Sequence, residues 1–495
     1  MTQLQHYQMF IGGQWLEAQG EERFDSFNPY TGEAWASIPR ARQADADKAV
    51  AAAASAFHSP AWAGLSASAR GRLLCRLGDL IGEHAEHLAR IEVRDNGKLY
   101  SEMLGQLRNI PQYFYYFGGL ADKIEGAVLP IEKPDTFTFT RHEPLGVCVA
   151  ITAWNSPLLL AANKLAPGLA AGNTFVLKPS EYTSASSLEF ARLVEQAGFP
   201  AGVVNVVTGF GNEVGEPLVS HRKVRKVAFT GSEAGGQRIN EAAARDFKRV
   251  TLELGGKSPN IVFDDAHLDN AVKGVISGIY AATGQTCVAG SRLLVQRSIY
   301  AAFLERLVAF ASRAKLGDPM LPGTQVGPVT TPAQYRKILD YIDIAKAEGA
   351  RCILGGGPAS GGDCGQGQFV QPTIFADVHN GMRIAQEEVF GPVLACIPFD
   401  DEEDALRIAN DSLYGLAAGV WTQSMARSLK MAQRLEAGMV WVNTYRAVSY
   451  MAPFGGHKRS GMGHENGAEA IREYLQVKSV WISTGEEVPD PFVMR

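Results

Sequence analysis

Cys287 stands in GQTCVAGSR (284–292), among residues small enough to leave the sulfur and the adjoining backbone N–H groups sterically open. A nucleophilic thiol needs that access, and a thiolate within reach near neutral pH. Taken alone, a cysteine among small residues fits a buried packing position equally well. Glu253, flanked by Leu252 and Leu254, ends a β-rich run and meets a Gly-Gly turn in VTLELGGKSP. A carboxylate leaving a strand into such a turn lies where α/β folds build their sites, and partial burial lifts it toward the working range of a general base. The competing reading is an ion pair with Lys257. Asn155, in AITAWNSPLLL, follows an apolar run and precedes a Ser-Pro helix start. Its amide suits either an oxyanion or the cap of the next helix.

Dinucleotide chemistry has weaker signals. No strict GxGxxG occurs; GFGNEVG (209–215) and FTGSEAGG (229–236) come nearest, and the second follows a β-rich run and opens a helix, as a pyrophosphate site requires. KPSE (178–181) sets Lys178 and Glu181 just beyond another strand. A carboxylate there suits a ribose diol and favours NAD over NADP, although Lys178 would tolerate a 2′-phosphate. GGKS (255–258) imitates the end of a phosphate-binding loop, but position 251 is Thr where that motif requires Gly. Nucleoside-triphosphate hydrolysis is thereby excluded.

The elements that must hold these residues fall into blocks. The first forty residues alternate short apolar runs with turns, as hairpins do. Residues 43–124 carry apolar positions at three-to-four spacing and predict helices. From 145 to 255, short β-rich runs alternate with helical segments, and a second αβ series follows, which predicts parallel sheets covered by helices. Alternating segments at 136–144 and 476–483 stand outside both series and predict two strands that pair with each other or with another subunit. The glycine-rich stretch 355–368 reads as a surface loop. At 495 residues the chain has room for about three domain-sized units. A net charge of −5 gives no footprint for nucleic acid, and no apolar run approaches a membrane span. The six cysteines are scattered, with no CxxC pair, and His84 and His87 have no third ligand nearby. A reducing compartment without a zinc site, the cytoplasm by default, is expected.

AWNSP (153–157), LKPSEYT (177–183), GFPAGVVNVVTG (198–209), FTGS (229–232), LELGGKSP (252–259), GQTCVAGSR (284–292), EEVFGPV (387–393) and PFGGHKRSGMG (453–463) together resemble, in order and spacing, the motifs of the aldehyde dehydrogenase superfamily. The resemblance covers nearly the whole chain. It implies an α/β fold: a Rossmann-like cofactor domain (1–125 and 145–255), an α/β catalytic domain (256–460) and a small β oligomerisation element (126–144 and 474–487) that makes a homodimer or homotetramer. It implies Cys287 as nucleophile, Glu253 as general base for water, Asn155 as oxyanion donor and Glu465 as a proton-relay carboxylate. Lys178 and Glu181 correspond to adenosine-ribose contacts, Ser232 to a pyrophosphate contact, and Glu388 and Phe390 to contacts on the nicotinamide ribose and ring. Trp154 and Leu254 fall at further cofactor contacts. After FTGS the chain departs from the family's usual pattern with Glu233, Ala234, Gly235 and Gly236.

The reaction so implied is NAD(P)-dependent oxidation of an aldehyde to its acid, with a thiohemiacetal and a thioester on Cys287. Glu253 argues for hydrolysis of the thioester rather than transfer to coenzyme A. Ser156, Asn163 and Arg446 are expected near the substrate. Polar groups there in place of bulky aromatics, with a guanidinium suited to a carboxylate, suggest a polar or carboxylate-bearing aldehyde of the semialdehyde type. A solvated or subunit-facing Arg446 would instead fit a broad-specificity enzyme for hydrophobic or aromatic aldehydes. A cysteine hydrolase without redox chemistry leaves EEVFGPV and FTGS unexplained.

Overall fold

The Ala-rich helix Gln43–His58 opens the helical block, its start fixed by the Asp45 carboxylate, which accepts hydrogen bonds from the N–H groups of Arg42 and Gln19. Its apolar face lies on the strands Val147–Ile151 and Thr174–Lys178. Helices Ala67–Glu83, Ala85–Asn96 and Tyr100–Leu120 follow and pack on Pro157–Ala170 and Ala185–Ala197 from the other side of the same strands. The structure is a computed structural model and describes residues 4–486 and 490–492; Glu487, the last residue of the expected 474–487 segment, lies outside them.

The first sheet has eight strands. Five are parallel, in the spatial order Arg249–Glu253, Val224–Thr230, Val147–Ile151, Thr174–Lys178, Val204–Val206. Antiparallel strands close both ends. Gly461–Met462 pairs with Arg249–Glu253, and the hairpin Met9–Ile11/Gln14–Leu16 borders Val204–Val206. The chain works outward from Val147–Ile151 first in one direction and then in the other. The strand order therefore reverses between Val147–Ile151 and Val224–Thr230, the position at which open α/β sheets bind ligands beyond their carboxyl ends.

The second sheet has seven strands, in the order Arg351–Leu354, Thr373–Ala376, Val393–Phe399, Arg292–Gln296, Pro259–Val262, Ala417–Trp421, Met439–Val442, all parallel except the first. Only Leu254–Ser258 separates the end of Arg249–Glu253 from the start of Pro259–Val262. The amino ends of the second sheet's strands thus meet the carboxyl ends of the first sheet's strands, and loops from both converge there.

The two segments expected to stand apart pair with each other. Thr136–Pro144 runs antiparallel to Leu475–Ser483 over nine residues, from Pro144 opposite Leu475 to Thr136 opposite Ser483, with Val128–Leu129 on the other edge. This ribbon leaves Phe137, Val477, Trp481 and Ile482 exposed. The glycine-rich stretch 355–368 carries a two-residue strand, Pro358–Ala359, paired with Phe369–Val370 just beyond it, and a 3-10 turn at Gly362–Cys364. Among the described residues no helix is long and apolar enough to cross a membrane, and all six cysteines are free thiols.

Candidate active site

Asn155 and Ser232 leave the carboxyl ends of the two strands that flank the reversal point, Val147–Ile151 and Val224–Thr230. Ser232 caps the helix Glu233–Ala244, its hydroxyl accepting from Gly235 N at 3.2 Å. Asn155 does not cap the next helix, which begins at Pro157 with Ser156 in the cap position. Its Nδ2 reaches across to the second sheet's loops and donates to the carbonyl of Gln285 at 3.1 Å. Gln285 is two residues before Cys287, so this bond locks the amide beside the thiol segment.

That segment is held under strain. Ala282 and Thr283 both adopt left-handed φ, 54° and 55°. Gly284 follows at +69°, and a Cβ there would lie 2.1 Å from the carbonyl oxygen of Gly391. Such backbone persists only where its surroundings over-determine it. Here Glu102 accepts from Ala282 N at 2.8 Å, the Thr283 hydroxyl donates to Gly327 O, and the Tyr445 hydroxyl donates to Val288 O at 3.1 Å. Cys287 is half-buried, and burial pushes its thiol up to about 12. The carboxylates of Glu253 and Glu388 add to the rise, and the Lys98 ammonium opposes it.

Glu253 is buried at the strand end, and neither carboxyl oxygen has a hydrogen-bond partner among the described residues. The ion pair with Lys257 does not form. Desolvation raises Glu253 well above the usual carboxylate range; Glu465 adds to this and Lys164 offsets part of it. Those two are themselves paired, the Lys164 ammonium binding Glu465 and donating to the Thr230 hydroxyl at 2.6 Å. The Asn163 amide also donates to Glu465, at 3.1 Å. Asn163, expected beside the substrate, is thus committed to this buried carboxylate.

Ser156 accepts a hydrogen bond from the Lys98 ammonium at 3.1 Å, both residues being buried. Arg446 is half-buried, with φ 63°, and donates to the Ser277 carbonyl at 3.2 Å. Neither Lys98 nor Lys164 stood out in the sequence. Lys164 carried a legible signal, a single charge in the apolar helix PLLLAANKLAPGLA (157–170). Lys98 carried only its place after a helix-ending Gly97.

The residues matched to a dinucleotide line the same junction. Glu388 accepts from Gly256 N at 3.0 Å, and a Cβ on Gly255 would lie 2.5 Å from its carboxylate. Trp154 and Phe390 meet edge to face at 5.3 Å. Phe390 takes φ 58°, held by the Gln334 amide donating to its carbonyl and to that of Val389. Leu254 donates to the Ser460 carbonyl, and its side chain packs where only a glycine at 236 leaves room. Beyond the first sheet, Lys178 lies 3.9 Å from Glu181 and donates to the Pro179 carbonyl. The unusual Glu233 is paired with Arg459 at 3.0 Å and accepts from the Tyr414 hydroxyl at 3.0 Å, so its charge at the first turn of the helix is offset by a guanidinium.

Fold and site together define an α/β oxidoreductase with a thiol, an amide donor and a bare carboxyl gathered where two sheets meet. The chain belongs to the aldehyde dehydrogenase family, whose profile matches residues 15–480. It is 45% identical to (Z)-2-((N-methylformamido)methylene)-5-hydroxybutyrolactone dehydrogenase of Acinetobacter baylyi, over 99% of this chain and 100% of that one. It is likewise 45% identical to human aldehyde dehydrogenase 1A1, over 98% and 96%. Betaine aldehyde dehydrogenase from Staphylococcus aureus, solved in complex with NAD+, superposes with a TM-score of 0.97 at 40% identity, covering 98% of this chain and 97% of that chain. An NAD+ complex of aldehyde dehydrogenase from Bacillus cereus gives 0.95 at 44% identity, covering 97% of each.

Proposed function

We propose that the chain oxidises a polar or carboxylate-bearing aldehyde to its acid through a thiohemiacetal and then a thioester on Cys287, with NAD as cofactor. The observation that carries this reading is the bare, buried Glu253 carboxyl at the junction that also holds Cys287 and Asn155. The Cys287 thiol gives up its proton to water, the resulting thiolate Sγ bonds to the aldehyde carbon, and the C=O π pair moves to the oxygen, which becomes an oxyanion. Asn155 spends one of its two amide hydrogens on Gln285 and has the other for that oxygen, beside the Cys287 backbone N–H. The donors of this chain fit the cofactor: a capped helix N-terminus for pyrophosphate, Glu181 for one ribose, Glu388 for the other, and Trp154 and Phe390 around the ring. NAD, when bound, supplies the hydride acceptor. Glu253 then takes a proton from water, which cleaves the thioester and frees the acid. Lys164 and Glu465, whose charges Glu253 feels, set its hold on that proton, and Glu465 is the carboxylate to which it would be relayed.

Two relatives support a polar substrate, one named for a 5-hydroxybutyrolactone and the other for betaine aldehyde. Lys178, adjoining Glu181, also admits NADP as a second cofactor. Residues 1–125 and 145–255 serve as the cofactor half and 256–460 as the catalytic half. The ribbon of 126–144 and 474–487 joins copies into a homodimer or homotetramer, and the cytoplasm is the assigned compartment. Steady-state reduction of NAD by short aldehydes tests the reaction. Wild-type turnover that C287A abolishes is expected; hydrolysis of activated esters without any nucleotide-dependent oxidation would contradict it.

A further inference from the structure

The helix Ala85–Asn96 ends on Gly97 at φ 72°, a left-handed turn that carries the next residue, Lys98, inside the protein. The turn is tied to the thiol segment. Asn96 Oδ1 accepts from Lys98 N at 2.9 Å, and the Asn96 carbonyl accepts from the Thr330 hydroxyl. Thr330 N in turn donates to the Gln285 side chain at 3.0 Å, and Gln285 O receives the Asn155 amide. The Lys98 ammonium is therefore fixed relative to both Asn155 and Cys287.

Its bonding is incomplete. Of three N–H donors, one is spent, on the Ser156 hydroxyl. Among the described residues no carboxylate reaches ion-pairing distance, a state Lys98 shares with the buried Lys257, whereas the buried Lys164, Lys178, Lys226 and Lys248 each have one. The carboxylates whose fields Lys98 feels, Glu102 and Glu92, each give one oxygen to a backbone N–H, of Ala282 and Leu158, and keep a second buried oxygen without a partner, but neither comes within ion-pairing distance of the ammonium. A second cation, Arg446, faces the same region and deepens the positive field. Burying an ammonium without a counter-charge is costly, and such groups concentrate where a ligand completes them.

We propose that the Lys98 ammonium and the Ser156 hydroxyl together anchor an anionic group, a carboxylate, on the aldehyde substrate. Ser156, already accepting from Lys98, has its own O–H to donate. Two ammonium hydrogens and one hydroxyl hydrogen then meet the two carboxylate oxygens, next to the amide that receives the aldehyde oxygen. The inference rests on the aldehyde-oxidation reading and deepens it by assigning anion selectivity to Lys98 rather than to Arg446, whose guanidinium already holds the Ser277 carbonyl. Burial lowers the ammonium to about 8, which leaves it mainly charged at neutral pH.

The test compares kcat/KM for a straight-chain aldehyde ending in a carboxylate with that for its methyl ester, in wild type, K98Q, K98R and S156A. Wild type is expected to prefer the acid about tenfold or more, and K98Q to lower kcat/KM for the acid by at least about tenfold beyond the loss that the ester shows, mainly through KM. K98R restores part of the preference, and S156A weakens the acid alone while leaving the ammonium in place. Equal losses for acid and ester would overturn the anchor and give Lys98 a role on the Cys287 thiol instead. A wild-type preference for the ester would also overturn it. Absence of NAD reduction with either aldehyde would bring down the oxidation reading, and the anchor with it.

Discussion

The Glu253 carboxyl and the Cys287 thiol are both displaced in the direction that favours their protonated forms, and burial is the leading cause for each. Each becomes active on losing its proton. Turnover is therefore expected to climb with pH through the neutral and into the alkaline range, and E253Q to remove the part of that rise belonging to deacylation. A flat profile in wild type would contradict the assignment. Replacing Asn155 by Ala removes an oxyanion donor and is expected to lower kcat by about 10²–10³, or about 2.7–4 kcal/mol. Neither Cys287 nor Glu253 was decisive alone in the sequence, because residue type and small neighbours do not separate a nucleophile from a packing thiol. Their order among eight motifs was what marked them as candidates. The commitment of Asn163 to Glu465, and the unpaired state of Lys98, depend on residues some 300 and 60 positions apart, which no local pattern reports.

At the level of elements, the helix Pro157–Ala170 is the piece most exposed to titration. Its second residue, Leu158, donates to the Glu92 carboxylate, and the next helix in the chain starts with Ala185 N on Asp95. Burial lifts both Glu92 and Asp95 to about 7, against the hydrogen bonds that favour their charged forms. A carboxyl raised in the folded state stabilises the fold fully below its ordinary value and loses that contribution as pH climbs through about 7. E92Q, which keeps an acceptor for Leu158 N, is expected to flatten the loss of stability between about pH 5 and pH 8, by on the order of 3 kcal/mol at most. Urea unfolding of wild type and E92Q across that range decides it; parallel curves would remove Glu92 from the account. Helices and parallel strands were legible here from periodicity and alternation. The two-residue strand Gly461–Met462 was not, since nothing in so short a segment distinguishes a strand from a loop.

Across the whole molecule, the opposed ends of the two sheets create the site, and the ribbon of Thr136–Pro144 with Leu475–Ser483 stands apart from both. Its exposed Val477 and Trp481 share one face, and Phe137 and Ile482, opposite each other across the two strands, share the other, so both faces carry apolar surface of the kind that associates with a partner. Replacing Val477, Trp481 and Ile482 by Lys, Ser and Lys is expected to reduce the mass measured by light scattering to that of a smaller assembly; an unchanged mass would place the contact elsewhere. The pairing of these two strands was readable as alternation outside the αβ series, although the sequence left open whether they met within one chain. The junction itself was not readable, because it is set by how two separately folded sheets dock. The central claim, a thioester on Cys287 cleared by Glu253, is tested most directly by mass spectrometry of E253Q quenched after mixing with aldehyde and NAD. An acyl adduct confined to the Cys287 peptide, formed only when NAD is present, is the expected result. No adduct in a variant that has lost turnover, or an adduct on another residue, would contradict the account.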